Sequence, residues 1–415
     1  MDGSREKGLA WEGARFRMVG DVRGRDQDTR KWAKGLRSFG ALVPSLLILA
    51  TSLGRPVAQN PASGFPRADF STLARQAEAL RGENRLVPAL QRYEQALQLD
   101  PDWYEGWWYL GSVLYELDRY EEAIRPLEKA LVLRPGEPEV LALLGLCRYE
   151  AGDYERATLA LEQAIQAGIG RLEGVGYVAR YHYALLLNRR GDHDLAASLL
   201  SELAAAGHGR KPALREALGL AALRIPVLPH ELQGELRPAV LLAGRAAAAV
   251  AESRPQVAVA RLQTLVRRHP DLPNVHYLYG NLLAQTRPTE ALQEYLRELE
   301  ISPDHLPARV EVTVEFLERE EFDEAVRHGE LAVQYHPESF AARHVLGRAY
   351  LEAGRVEDAI RQLEEGVRLA PDSPQLHFTL ARAYRRAGRL AEAEREQREF
   401  QRLQKVAEEA GKLRP

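Results

Sequence analysis

Cysteine is almost missing from this sequence: Cys147 stands alone among 415 residues. A disulfide framework and a multi-cysteine zinc site are therefore both excluded within one chain. Its setting in an apolar helical stretch predicts a buried small hydrophobe rather than a reactive thiol. An excess of either charge is missing too, since 56 basic residues face 59 acidic ones for a net charge of -3. That balance gives no basis for a nucleic-acid partner. Aromatic residues make up 7% and lysine is scarce, while Ala, Leu, Glu and Arg, all strong helix formers, dominate. The eleven histidines follow no ligand pattern, and His230-Glu231 lacks the second histidine of a helical zinc site. Phosphate-binding loops, nucleophile elbows, kinase signatures and dinucleotide fingerprints are also missing. The glycines at 168, 170, 174 and 176 follow no strand and precede no Lys-Ser/Thr, so they read as a loosened loop. These absences predict a protein that is not an enzyme and uses no cofactor or metal.

Long hydrophobic runs are limited to Phe39–Leu53, FGALVPSLLILATSL, which follows a basic cluster of Arg30, Lys31, Lys34 and Arg37. A membrane span needs about 20 residues, and Pro44 interrupts this run. A positive flank, a short apolar core and small residues beyond it have the form of a secretory signal. Cleavage near Ala58, a retained anchor over 39–53 and a helix packed into the fold are the three readings. Met18 is an alternative start that would shorten the leader. With no cysteine directly following the run, a lipoprotein anchor is excluded. The expectation is export to the periplasm or cell envelope, or an inner-membrane anchor with the remainder outside the cytoplasm.

Internal repetition decides the fold. WYLGSVLYELDRYEEAIRPLEKALVLRP (108–135) and VLGRAYLEAGRVEDAIRQLEEGVRLAP (345–371) share a glycine, a turn, an alanine and a closing proline in the same order. The alanine recurs as Ala89, Ala123, Ala157, Ala196, Ala258, Ala291, Ala325, Ala359 and Ala393, at steps of 34, 34, 39, 62, 33, 34, 34 and 34. Prolines recur in phase at 101, 135, 270, 303, 337 and 371, and glycines at 111, 145, 280 and 347. This pattern resembles the tetratricopeptide (TPR) family, whose 34-residue unit has small residues at positions 8, 20 and 27 and proline at 32. The resemblance covers roughly 70–205 and 239–407 and implies an all-α, right-handed solenoid of helix-turn-helix repeats. Each helix pair cannot bury its own apolar faces, so stacking supplies the core. Gly or Ala at the helix crossings lets backbones approach closely. Gly152-Asp153 and Gly191-Asp192 should end one helix at a left-handed cap and start the next.

The expected organisation is a leader and linker over 1–60, a first repeat block over 61–205, an irregular helical and Pro-rich connector over 206–238 with a helix around 212–224, a second block over 239–407 and a tail over 408–415. In the resembled family the first helix of each repeat lines a concave groove. Projected onto this chain, that register selects Trp108, Tyr115, Leu146 and Tyr149 with Glu116 and Glu150 at one end. At the other end it selects His344, Arg348, Phe378, Arg382, Arg385 and Arg386. Trp107 falls at a core position, and Trp103 reads as a cap on the stack. A clamp for a chaperone C-terminal carboxylate is not formed, because Ser112 and Tyr277 occupy the required places. The resemblance implies a bacterial exported scaffold that binds a peptide or protein partner in its groove. The competing expectation is a structural subunit of an envelope assembly, contacting partners through its convex face and array ends.

Overall fold

The computed structural model describes residues 67–169 and 174–412. The leader, its basic cluster, the apolar run 39–53 and most of the inserted glycine loop lie outside the described residues. Within them, nineteen α-helices follow one another with no strand. Four pairs come first: α1 (Arg67–Gly82) with α2 (Leu86–Leu99), α3 (Tyr104–Glu116) with α4 (Tyr120–Leu133), α5 (Pro138–Glu150) with α6 (Tyr154–Gln166), and α7 (Gly174–Arg190) with α8 (His193–Leu203). A π-helical turn over Ala204–His208 and an additional helix, α9 (Pro212–Ala222), follow. Five pairs complete the array: α10 (Arg237–Ala251) with α11 (Pro255–Arg268), α12 (Val275–Leu283) with α13 (Pro288–Ile301), α14 (Leu306–Glu318) with α15 (Phe322–Tyr335), α16 (Phe340–Glu352) with α17 (Val356–Leu369), and α18 (Pro374–Arg386) with α19 (Leu390–Lys412). The protein is an all-α solenoid. Its last helix continues through Lys412, so no separate tail begins at 408.

The two kinds of helix end differently, and the sequence says why. First helices other than α12 end on a residue with positive φ: Asn84, Asp118, Gly152, Gly191, Ser253, Glu320, Gly354 and Gly388. A left-handed residue there closes the last turn by offering its own and the following N–H to orphaned carbonyls. Gly152 N–H, for instance, donates to the Tyr149 carbonyl and Asp153 N–H to the Arg148 carbonyl. Asp153 then caps α6 by accepting from Arg156 N–H at 3.3 Å, while Asp192 makes no such side-chain cap on α8. Second helices that meet a closing proline end instead on extended residues, φ −135° at Arg134 and −139° at Ala370, whereas α6, which lacks that proline, ends at left-handed Gly168. The residue before a proline is driven out of the helical region.

All nine phased alanines are buried, eight of them at 0% exposure and Ala393 at 2%. The phased glycines sit where the paired helices cross. A Cβ at Gly111 would lie 2.6 Å from Leu127, and one at Gly347 would lie 2.5 Å from Leu363. One recurring contact was not read from the sequence. The fourth residue of a first helix, or the second in the shorter α12, reaches back six residues to the carbonyl closing the preceding repeat. Trp107 Nε1 donates to Pro101 O (2.7 Å), Arg343 Nε to Pro337 O (3.0 Å) and Arg309 Nη2 to Pro303 O, while His377 Nε2 pairs with Pro371 O (2.8 Å) and His276 Nε2 with Pro270 O (3.0 Å). These bonds satisfy the carbonyl at which each second helix stops, tying repeat to repeat. They also correct one expectation: Trp107 is half-buried with a bonded indole rather than enclosed in the core.

The segment expected to be an irregular connector carries the same first-helix signature. Arg215, fourth residue of α9, donates from Nε to Gly209 O at 2.7 Å, again six residues back. Arg224 closes α9 with φ 52°, and Ile225 N–H donates to the Leu220 carbonyl. Beyond it, Leu228 is fully buried and Leu232 nearly so, while Asn188 Nδ2 donates to Ile225 O at 2.7 Å. This stretch is packed on α7.

Candidate partner-binding faces

The first helices present the projected residues, and the structure separates those that remain accessible from those that do not. On α3, Trp108 is half-buried and its ring stacks on Tyr109 at 5.2 Å, with Tyr104 6.1 Å away on the other side. Ser112 returns its hydroxyl to the Trp108 carbonyl at 3.0 Å. Trp103 lies between Phe70 and Tyr93, at 5.3 and 5.9 Å, and covers Gly106, where a Cβ would collide with the indole. Trp103 therefore links the first two repeats.

Tyr115 departs from expectation. It is 9% exposed, packs edge-on against Tyr120 at 5.4 Å, and burial pushes its phenol pKa up. Leu146 is likewise enclosed, at 2% exposure. Both belong to the core, because neighbouring first helices approach closely enough to cover these positions. Tyr149 is half-buried between Tyr154 and His182, with its pKa raised by burial. Glu116 is half-exposed and Glu150 exposed. Glu105 pairs with Arg134 at 2.8 Å. Cys147, on the same helix as Tyr149, is buried, and burial raises its thiol pKa.

At the other end, α16 and α18 bring the remaining projected residues together. Phe378 is 43% exposed and rests against Phe400 of α19 at 5.3 Å. Arg382 and Arg386 both reach Glu352 on α16, at 2.9 and 3.0 Å, and Arg386 also donates to the Leu351 carbonyl at 2.5 Å. Those guanidiniums hold the Glu352 carboxyl below its ordinary pKa against the opposing cost of burial. Arg382 and Arg386, which the register projects onto the groove, are each half of a fork on one carboxylate. Arg348 and Arg385 make no ion pair among the described residues. His344 pairs with the Thr379 hydroxyl at 2.9 Å, and burial together with nearby Arg348 lowers its pKa to about 4. The face is bounded on one side by an open cleft of about 430 Å³ lined by Glu320, Glu321, Phe322, Asp323, Glu324, Glu352 and Ala353. Helices α16 and α18 thus carry an exposed phenyl ring together with Arg348, Arg382, Arg385 and Arg386, with Glu352 between two of the arginines and an acidic rim beyond.

Buried polar pairs that sequence reasoning missed lie in the repeat interfaces. His276 Nδ1 meets Glu294 at 2.5 Å, which raises the imidazole pKa, and His377 Nδ1 meets Glu396 at 2.7 Å. Each imidazole bridges a second-helix carboxylate and the preceding closing proline carbonyl. The signal was present as a histidine six residues after the closing proline, where Trp and Arg stand in other repeats. Among the described residues no three His, Cys, Asp or Glu side chains gather to hold a metal ion, and no helix is long and apolar enough to cross a membrane.

Comparison with known proteins agrees with this architecture. Tetratricopeptide-repeat family profiles match residues 75–138, 117–171, 142–211 and 244–305, and a second profile of the same description matches 316–377. Together the matched segments span well over half of the sequence. The chain belongs to the tetratricopeptide repeat family. No functionally curated protein matches it. Among solved structures it is similar to MamA from Desulfovibrio magneticus RS-1 (residues 41 to end), at 21% identity, 40% of this chain, 96% of that chain and a TM-score of 0.37. It is also similar to the TPR domain of P58(IPK), at 17% identity, 83% of this chain, 98% of that chain and a TM-score of 0.28.

Proposed function

We propose that this protein is a non-catalytic scaffold that binds an extended peptide or a partner protein on the first-helix faces of its repeats. The observation that carries the reading is the α16–α18 surface, where Phe378 stands 43% exposed on the same helix as Arg382, Arg385 and Arg386, with Arg348 on the neighbouring α16. Exposed aromatics beside arginines are the side chains that most often dominate binding energies. Trp108, Tyr149, Glu116 and Glu150 form the corresponding surface of the first block. The basic cluster and apolar run before residue 54 add the proposal that the repeats work outside the cytoplasm.

Partner capture from the native host with the full chain, followed by calorimetry, tests the scaffold reading. Phe378→Ala and Arg385→Glu should each weaken binding of the recovered partner while leaving helical circular dichroism unchanged. Binding unaffected by either, and by Trp108→Ala, would move the contact to the second helices and array ends, the arrangement expected of an assembly subunit.

A further inference from the structure

Two first helices stand in succession at α9 and α10. Arg224 (φ 52°) closes α9 and Ser253 (φ 57°) closes α10, each with the left-handed residue that ends first helices elsewhere. Yet α9 and α10 pack on each other as a first and second helix do, and antiparallel. A Cβ on Gly219 would fall on the Val240 carbonyl, and one on Gly244 on the Arg215 carbonyl. The helix α10 therefore serves twice, as second helix to α9 and as first helix to α11. Its sequence, RPAVLLAGRAAAAVA, has small residues on nearly every face, as a helix with two close-packed partners requires.

The layering shows the consequence. In the first block, α3, α5 and α7 touch in series, and α9 touches α7, so α9 continues the layer of first helices. Likewise α10 touches α8 and continues the layer of second helices. In the second block α14, α16 and α18 form the touching series of first helices. Helices alternate between two layers along the array, so the additional helix exchanges the layers. By that alternation, first helices fall in one layer before α9 and in the other after α10.

Resting on the scaffold reading above, we infer that the protein carries two separate partner faces on opposite sides of the array, and that the second, on α16 and α18, takes an acidic polypeptide segment. The charge argument is local: four arginines offset by Glu352 alone attract carboxylates. The acidic rim at Glu320–Glu324 repels them, which confines the segment to α16 and α18. One continuous peptide cannot follow the first helices from Trp108 to Phe378, because the path changes sides.

The test uses the full chain and three fluorescent peptides: a Glu-rich one with a single Phe, a Lys-rich one, and a bipartite one joining both through a Gly/Ser linker of about twenty residues. Such a linker reaches at most about 70 Å and averages about 25 Å. The acidic peptide should bind, at least tenfold more weakly after Arg385→Glu or at raised salt, and equally well after Trp108→Ala. The bipartite peptide should bind the full chain no tighter than the acidic peptide. Deleting residues 209–236 shortens the Ala196–Ala258 step from 62 by 28 to the repeat period of 34 and returns all first helices to one side. There the bipartite peptide should gain at least tenfold through effective concentration. A tenfold gain on the full chain would overturn the inversion while leaving the scaffold reading intact. No Arg385-dependent binding of the acidic peptide would overturn the acidic-segment face, whatever the bipartite peptide does. If the deletion variant does not fold by circular dichroism, hydrogen exchange on the full chain decides. Protection of α3 and α5 together with α16 and α18 by a single bound bipartite peptide contradicts the inversion; protection of α16 and α18 alone supports it.

Discussion

Glycine-to-alanine substitution should have opposite weights at two kinds of helix crossing. Replacing a helical glycine by alanine ordinarily gains about 1 kcal/mol, because glycine loses more backbone freedom on folding. At Gly347 the new methyl would lie 2.5 Å from Leu363 Cγ, the side chain of a neighbour that can shift its rotamer. Overpacking of that kind costs about 1–3 kcal/mol, so Gly347→Ala should end within about 2 kcal/mol of the parent. At Gly219 and Gly244 the obstacle is backbone, the carbonyls of Val240 and Arg215. Helices α9 and α10 would have to separate, loosening Ala217, Val240 and Ala243, all at most 1% exposed. The loss should reach about 3 kcal/mol or more, the scale of a disrupted core contact. Urea unfolding of the three variants measures the comparison, with hydrogen exchange locating the damage at 212–251. If Gly219→Ala and Gly347→Ala prove equally stable, the backbone interlock that exchanges the layers is not tight, and the reasoning fails.

Acid should destabilise the fold through its buried neutral histidines. His182, His328 and His344 each have a pKa lowered to about 4, mainly by burial. Their contribution is complete above the unfolded value near 6.5 and is lost as pH falls from there to about 4, up to about 3 kcal/mol each. His276, raised by its hydrogen bond to Glu294, acts in the opposite sense, its contribution being lost as pH rises through its folded pKa. Thermal melts between pH 7 and 4 should show a net fall, smaller in His328→Leu than in the parent; a flat profile would contradict it. Ala359→Arg places a charged side chain at a fully buried crossing and should cost about 1–3 kcal/mol from overpacking plus a burial penalty. Hydrogen exchange should then show the second block opening before the first, and equal loss in both would refute local coupling. Residues 18–60 fused to alkaline phosphatase should give activity outside the cytoplasm, abolished by charged replacements at Leu46, Leu47 and Leu49; a fusion that stays cytoplasmic and folded would sink the export proposal.

The period was legible because each repeat needs the same small residue at the same crossing, and Ala89 through Ala393 report it without ambiguity. The faces were less legible. A groove register taken from one repeat says which way a side chain points, not how near the next first helix lies. Tyr115 and Leu146 were therefore projected outward and found enclosed. The pairing of Arg382 and Arg386 is not legible in the sequence because their partner, Glu352, comes from the preceding repeat, some thirty residues away. The 62-residue step reads from sequence as a helix around 212–224 followed by an irregular Pro-rich segment, either a hinge or a degenerate repeat. Its clues were Pro212, Arg215 and Gly219, which fall at the first, fourth and eighth places of a first helix, as Pro374 and His377 occupy the first and fourth in α18. Arginine at the fourth place carried no message until the bond to the carbonyl six residues back was seen.

The most direct measurement of the central claim is site-specific photocrosslinking in the native host. Benzoylphenylalanine in place of Phe378, on the first-helix face of α18, is compared with the same group in place of Tyr335, 45% exposed on second helix α15. A scaffold that engages partners through its first helices predicts discrete adducts from position 378, lost on adding Arg385→Glu, and none from position 335. Adducts from 335 with none from 378 would contradict it.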